Sequence, residues 1–145
     1  MKRLQKLNNL SCYLAAFSIE GATCAFVVQQ ADATSRLHSA AGDYVLLARP
    51  EMHQDGDSDA FRQTLSTAIF VLAKGLGAGQ TDERSNEQYE RLADLAERIL
   101  QRITDDCTGG RCGLLAGLNL VSVDVVPEYS LFGGWNGYSI ELKFE

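Results

Sequence analysis

The sequence predicts an α+β fold: one mainly antiparallel sheet with helices packed on it, in the order α-β-β-β-α-β-β. Three observations point there. The stretch "SNEQYERLADLAERILQRITDD" repeats apolar side chains at helical spacing. The stretch "YSIELKFE" alternates Ile140, Leu142 and Phe144 with Glu141, Lys143 and Glu145, the period of a strand with one buried face. Thr23–Gln30 and Asp43–Pro50 are short β-branched and apolar runs bounded by polar residues. The 145 residues fit one domain, residues 1–145, with a core of ordinary size.

Each element has its own signal. Leu4, Leu7, Leu10, Leu14 and Phe17 fall three or four apart and predict a first helix, ended by Glu20 and Gly21. "TCAFVVQQ" is the first strand, and "ADATSRLHSAAG", with no clean period, is a loop. "DYVLLARP" is the second strand, stopped by Pro50, which cannot donate to a ladder. "EMHQDGDSD" is a polar loop. Ala60–Gly75 fits both periods, but Thr64, Thr67, Ile69, Phe70 and Val71 favour a long strand. "GLGAGQTDERSN" is a flexible connection.

The second helix opens with Ser85 and Gln88 at capping-box spacing. Tyr89, Leu92, Ala96, Ile99 and Ile103 form its buried stripe. Acidic Asp82, Glu83 and Glu87 near its start and Arg98 and Arg102 toward its end suit the macrodipole. "LNLVSVDVVPEYS" is a strand whose alternation slips at Leu120–Val121, as a bulge would make it. The Gly/Asn turn around Trp135 leads into the closing strand.

Composition narrows the function. Hydrophobic residues at 46% and charged residues at 22% argue against wholesale disorder. The net charge is −6, and the one basic cluster is Lys2, Arg3 and Lys6, which argues against nucleic-acid binding. No apolar run reaches the roughly 20 residues of a membrane span. "MKRLQKLNNLSCYLAAF" starts basic, but Gln5, Lys6, Asn8 and Asn9 interrupt any apolar signal region, so the expected location is intracellular, with reduced thiols.

Candidate chemistry is sparse, and no cofactor is expected. "CTGGRC" sets Cys107 and Cys112 around two glycines as a thiol pair able to form a disulfide on oxidation. A metal knuckle needs two more soft ligands, and Cys12 and Cys24 lack pair spacing. "DGDSD" places Asp55, Asp57 and Asp59 like the start of a calcium loop. Ala60 and Ser66 stand where the glycine and the closing glutamate belong, so a solvated acidic turn is the expectation. His38 and His53 have no nucleophile motif around them. Gly75, Gly77 and Gly79 lack the lysine of a phosphate loop and the third glycine of a dinucleotide loop. Tyr129, Phe132, Trp135 and Tyr138 make "PEYSLFGGWNGY" aromatic-rich. Such residues either anchor a partner or fold over the end of the core, and the sequence leaves both open.

The order of elements, carried by "DYVLLARPE", "FRQTLSTAIFVLAKG", "NEQYERLADLAERILQRI", "LVSVDVVPEY" and "YSIELKFE", resembles the tail-terminator and tail-completion (head–tail joining) proteins of long-tailed phages. Related caps occur on contractile injection machines. The resemblance implies a non-enzymatic subunit that forms a homo-oligomeric ring, typically a hexamer, on the end of a tail tube. Such a ring stops tube growth and offers a surface to other tail and connector proteins. It implies assembly in the bacterial cytoplasm and a final place in the virion or tail-like particle. Two other readings stand beside it. One is a small intracellular ligand-binding or enzyme domain with a pocket near His38, His53 or the acidic loop. The other is a cysteine-based metal module.

Overall fold

A computed structural model of the chain describes residues 22–28, 30–57, 62–77, 81–108 and 118–145. The elements are β1 (Ala22–Val27), α1 (Gln30–Leu37), β2 (Asp43–Ala48), β3 (Glu51–Asp55), β4 (Arg62–Lys74), α2 (Asp82–Thr108), β5 (Leu120–Leu131) and β6 (Trp135–Phe144). The six strands form one sheet in the order β1-β2-β4-β6-β5, with β3 paired to β4 off that path. The expected helix over Leu4–Phe17 lies outside the described residues.

The α+β class stands, and the details need correction. The sheet is mixed, because β1 and β2 are parallel while the other pairings are antiparallel. The described order is β-α-β-β-β-α-β-β, since a helix and a strand occupy segments expected to be loops. The two changes are linked. Parallel neighbours need a crossover rather than a hairpin, and α1 lies in that crossover. Its apolar repeat consists of Ala33 and Leu37 alone, both buried. Around them, Asp32 accepts the Val28 N–H at 3.0 Å and pairs with Arg36 at 3.4 Å.

Pro50 interrupts pairing, as predicted, but only briefly. Leu47 lies opposite Ile69, and Glu51 lies opposite Ser66. Four steps along one strand therefore match three along the other, so β2 and β3 read as one strand broken by a bulge. The Thr67 hydroxyl donates to the Ala48 carbonyl at 2.8 Å at the break. All five residues of β3 are exposed, so no apolar periodicity marked it. Strand β4 is a long strand, as its propensity predicts.

Helix α2 covers one face. Its Leu92, Leu95, Ala96, Ile99 and Ile103 pack with Val45, Leu65, Ile69, Val71, Ile140, Leu142 and Phe144. Burying each large aliphatic side chain contributes about 1.5–3 kcal/mol. Arg91 adds a two-pronged ion pair to Asp43 at 3.0 and 3.2 Å. The helix begins earlier than expected. Thr81 rather than Ser85 caps it, its Oγ1 accepting the Arg84 N–H at 3.2 Å. Its last turn carries no basic residue, so Arg98 and Arg102 stand before the last turn rather than in it. On the other face, α1 closes a second cluster of Val27, Ala33, Leu37, Leu46, Leu72, Phe132 and Trp135.

Candidate functional site

The β5–β6 connection is the most specialised backbone among the described residues. Ser130 and Phe132 have φ of 52° and 51°, and Gly133 and Gly134 follow at 90° and 116°. A left-handed phenylalanine costs on the order of 1–2 kcal/mol. Burial of its ring, edge-on to Phe70 with centroids 5.1 Å apart, offsets this.

A buried amide pair fixes the turn. The Asn136 Oδ1 accepts the Ser130 N–H at 2.9 Å, and its Nδ2 donates to Gln88 Oε1 at 3.4 Å. Gln88 in turn donates to the Lys74 carbonyl at 3.0 Å, and Gly75 N–H donates to the Gly134 carbonyl at 2.7 Å. The turn is thus tied to the end of β4 and to the first turns of α2. Gln88 is a buried tie here, not the second half of a capping box. Asn136→Ala removes the acceptor for Ser130 and leaves Gln88 Oε1 without its donor, so it is expected to lower stability by about 1–3 kcal/mol. A fall in urea midpoint at unchanged slope checks this.

The four aromatics separate. Phe132 and Trp135 are buried in the second cluster, where Trp135 meets Tyr44 edge-on at 5.6 Å. Tyr138 is half-buried and edge-on to Tyr89 at 5.8 Å. The Tyr89 hydroxyl donates to the Glu128 carbonyl at 2.6 Å. Tyr129 projects, 71% exposed.

Tyr129 joins a group of exposed β5 side chains, spread over both faces of the strand, that no motif marks. Val121, Val125 and Val126 are 46%, 47% and 43% exposed on β5, an outer strand of the sheet. The ladder to β6 slips between Leu120 and Ser122, where the broken alternation predicts a bulge, and again between Glu128 and Leu131. Pro127 sits within this strand, which suits an edge. Asp124 lies directly opposite Glu141, and Glu128 accepts the Ser139 hydroxyl at 2.9 Å, so one face of this edge is acidic. The signal available beforehand was "VDVVPEY": consecutive valines and a proline in a strand otherwise patterned for one buried face.

The remaining motifs are placed as follows. Cys107 is half-buried near the end of α2, and Cys112 lies outside the described residues, as does Cys12. Cys24 is half-buried against the α2 cluster. Asp55 ends β3, where it accepts the Gly56 N–H at 2.8 Å, and Asp59 lies outside the described residues. His53 is exposed on β3 and His38 is exposed after α1. Among the described residues, no three His, Cys, Asp or Glu side chains gather to hold a metal ion. A shallow depression of about 270 Å³, lined by Arg49, Glu51, Ser66, Glu141 and Lys143 among others, lies on the sheet.

Burial pushes the Cys24 and Cys107 thiols above their ordinary 9.0, with Asp106 adding to the second. Burial, with the charges of Tyr138, Tyr129 and Glu128, pushes Tyr89 above 10.0. All three groups are therefore neutral in the fold over a range where the unfolded chain ionises. Their contribution is intact below pH 9.0 and is lost as pH rises through and beyond it. Urea midpoints measured on either side of pH 9.0 are expected to fall on the alkaline side. Alkylation of Cys24 and Cys107, followed site by site by mass spectrometry, is expected to be several-fold slower in the fold than in urea.

No protein-family model matches the chain, and no curated protein matches it. Among the described residues, no helix is long and apolar enough to cross a membrane.

Proposed function

We propose that this chain is a non-enzymatic assembly subunit, built to associate with copies of itself and with other tail or connector proteins. The observation that carries this is the β5 edge, with Val121, Val125, Val126 and Tyr129 exposed along one outer strand. Val121, Val125 and Val126 leave apolar surface along this outer strand for a neighbour to cover, while its two register shifts, Pro127 and Asp124 restrict which strand can pair there. The locked turn supports the reading, since it fixes the backbone from which Tyr129 projects as an aromatic anchor.

Within that class, the resemblance of the strand and helix segments to tail-terminator and head–tail joining proteins selects the particular role. The chain caps a tail tube as a ring, six copies being the expected number, and joins it to the head connector. On this reading it is made in the bacterial cytoplasm and ends in the virion or a tail-like particle. Light scattering behind a sizing column, under reducing conditions and across a wide concentration range, is the first test. A closed multiple of the monomer mass is expected, with binding to purified tail-tube ends. A monomer at every concentration that also ignores tube ends would overturn the proposal.

One observation favours a second reading, a ligand-binding domain: the depression flanked by Arg49 and Lys143 with Glu51 and Glu141. A rise in melting temperature with small ionic ligands, lost in Lys143→Ala, would move the assignment there.

A further inference from the structure

We propose that β5 of one copy pairs antiparallel with β1 of a second copy, head to tail, so that the sheet continues from subunit to subunit. The inference rests on the assembly reading and adds which surfaces meet.

Strand direction comes first. β1 runs parallel to β2, and three antiparallel steps through β4 and β6 lead to β5. β5 therefore runs opposite to β1. Two copies set side by side in the same orientation bring these outer strands together as an antiparallel pair, the arrangement with straight hydrogen bonds.

Length agrees. The unbroken stretch of β5 between its two register shifts is Ser122–Glu128. β1 has six residues, Ala22–Val27. Pro127 supplies no outward N–H, so the stretch that can pair fully is Ser122–Val126, close to the length of β1.

Charge and size then choose between partners. A two-fold pairing of β5 with β5 centred on Val126 would set Asp124 opposite Glu128 of the second copy, with Glu141 already opposite Asp124. Like charges across strands are destabilising. β1 carries no charged residue. Its Ala22, Cys24 and Ala25 are small and only half-buried, so they have surface left to lose against the β5 valines. A contact between two different edges is heterologous and closes as a ring if the rotation allows.

The test uses two blocked variants of the full chain, each altered at exposed positions. Val125→Glu with Val126→Glu blocks β5. Thr23→Glu with Val28→Glu blocks β1. Unchanged urea midpoints confirm that both fold. Each variant alone is expected to run as a monomer. Mixed in equal amounts, they are expected to double in mass and stop there, because one free β1 edge meets one free β5 edge. In Val125→Cys or Val123→Cys chains, mild oxidation is expected to give a ladder of cross-linked multimers that disappears with Cys24→Ser. A β1-blocked variant that dimerises alone would mean β5–β5 pairing and overturn the proposal. Wild-type oligomers that persist in both blocked variants would overturn the pairing yet leave the assembly reading intact. A wild type that stays monomeric, with no doubling on mixing, also overturns the pairing, and tail-tube binding then decides the assembly reading separately.

Discussion

Gly137→Ala is expected to remove at least about 4 kcal/mol of stability, the range in which a single change becomes diagnostic. Gly137 lies on β6 at a φ of 154°, facing Leu72 of β4 in the ladder. A methyl group there would drive into the Val71 carbonyl oxygen, and it would stand 3.0 Å from the Val71 carbonyl carbon and 3.1 Å from Leu72 Cα. Every one of these atoms is backbone, so none can swing aside. Relief requires that β4 and β6 part at the centre of the sheet, breaking ladder bonds while Leu72 and Val71 lose their burial. Total stability of a domain this size is about 5–15 kcal/mol, so the variant is expected to be largely unfolded or recovered as aggregate. Circular dichroism and urea unfolding of the purified variant check this. Gly77, with open space around it at a φ of 59°, serves as a control. Alanine there adds only local strain and is expected to cost on the order of 1–2 kcal/mol.

Phe144→Ala is expected to cost about 3–5 kcal/mol. Phe144 is fully buried, flanked by Leu65 of β4 on one side and Leu120 of β5 on the other. It is also among the largest side chains that the sheet and α2 enclose. Truncation leaves a cavity between the sheet and α2, and the ladders on both sides of β6 hold the sheet wall so that it cannot collapse into it. Its neighbour Lys143 is exposed on the opposite face, and Lys143→Ala is expected to move stability by no more than about 0.5 kcal/mol. The contrast between adjacent positions, read from urea midpoints, tests the alternation itself. Equal losses at the two sites would mean that β6 does not bury one face and expose the other.

The elements that bury a full period of apolar side chains were legible in the sequence. Ile140, Leu142 and Phe144 are buried where alternation placed them, and Leu92, Ala96, Ile99 and Ile103 are buried at helical spacing. The slip at Val121 was legible too, because one extra residue inverts the side of every residue after it. α1 was not, since its burial rests on two residues four apart. β3 was not, since a strand exposed at every position has no alternation to show. The parallel pairing of β1 and β2 was hidden with α1, which makes the crossover between them. The candidate surface was hidden for a different reason. Sequence reading searches for unusual residues, and the exposed valines of β5 stand out only once the strand takes an outer position among the described strands.

The centre of the sheet has a temporal consequence. β4 is completed on one side by β2 and β3, which precede it, and on the other by β6, which is made much later. At roughly 5–20 residues per second of synthesis, several seconds separate Lys74 from Phe144 as they leave the ribosome. Through that interval β4 carries Ile69 and Val71 with one flank unpaired, and β5 emerges before the strand it must pair with. The nascent chain therefore cannot finish its core piecemeal. It waits for β6 to be threaded between two strands already made. A protein of this topology is expected to fold in one late step and to lean on holdase chaperones until then. Its yield is then set by the rate of that final insertion as much as by the stability of the finished fold.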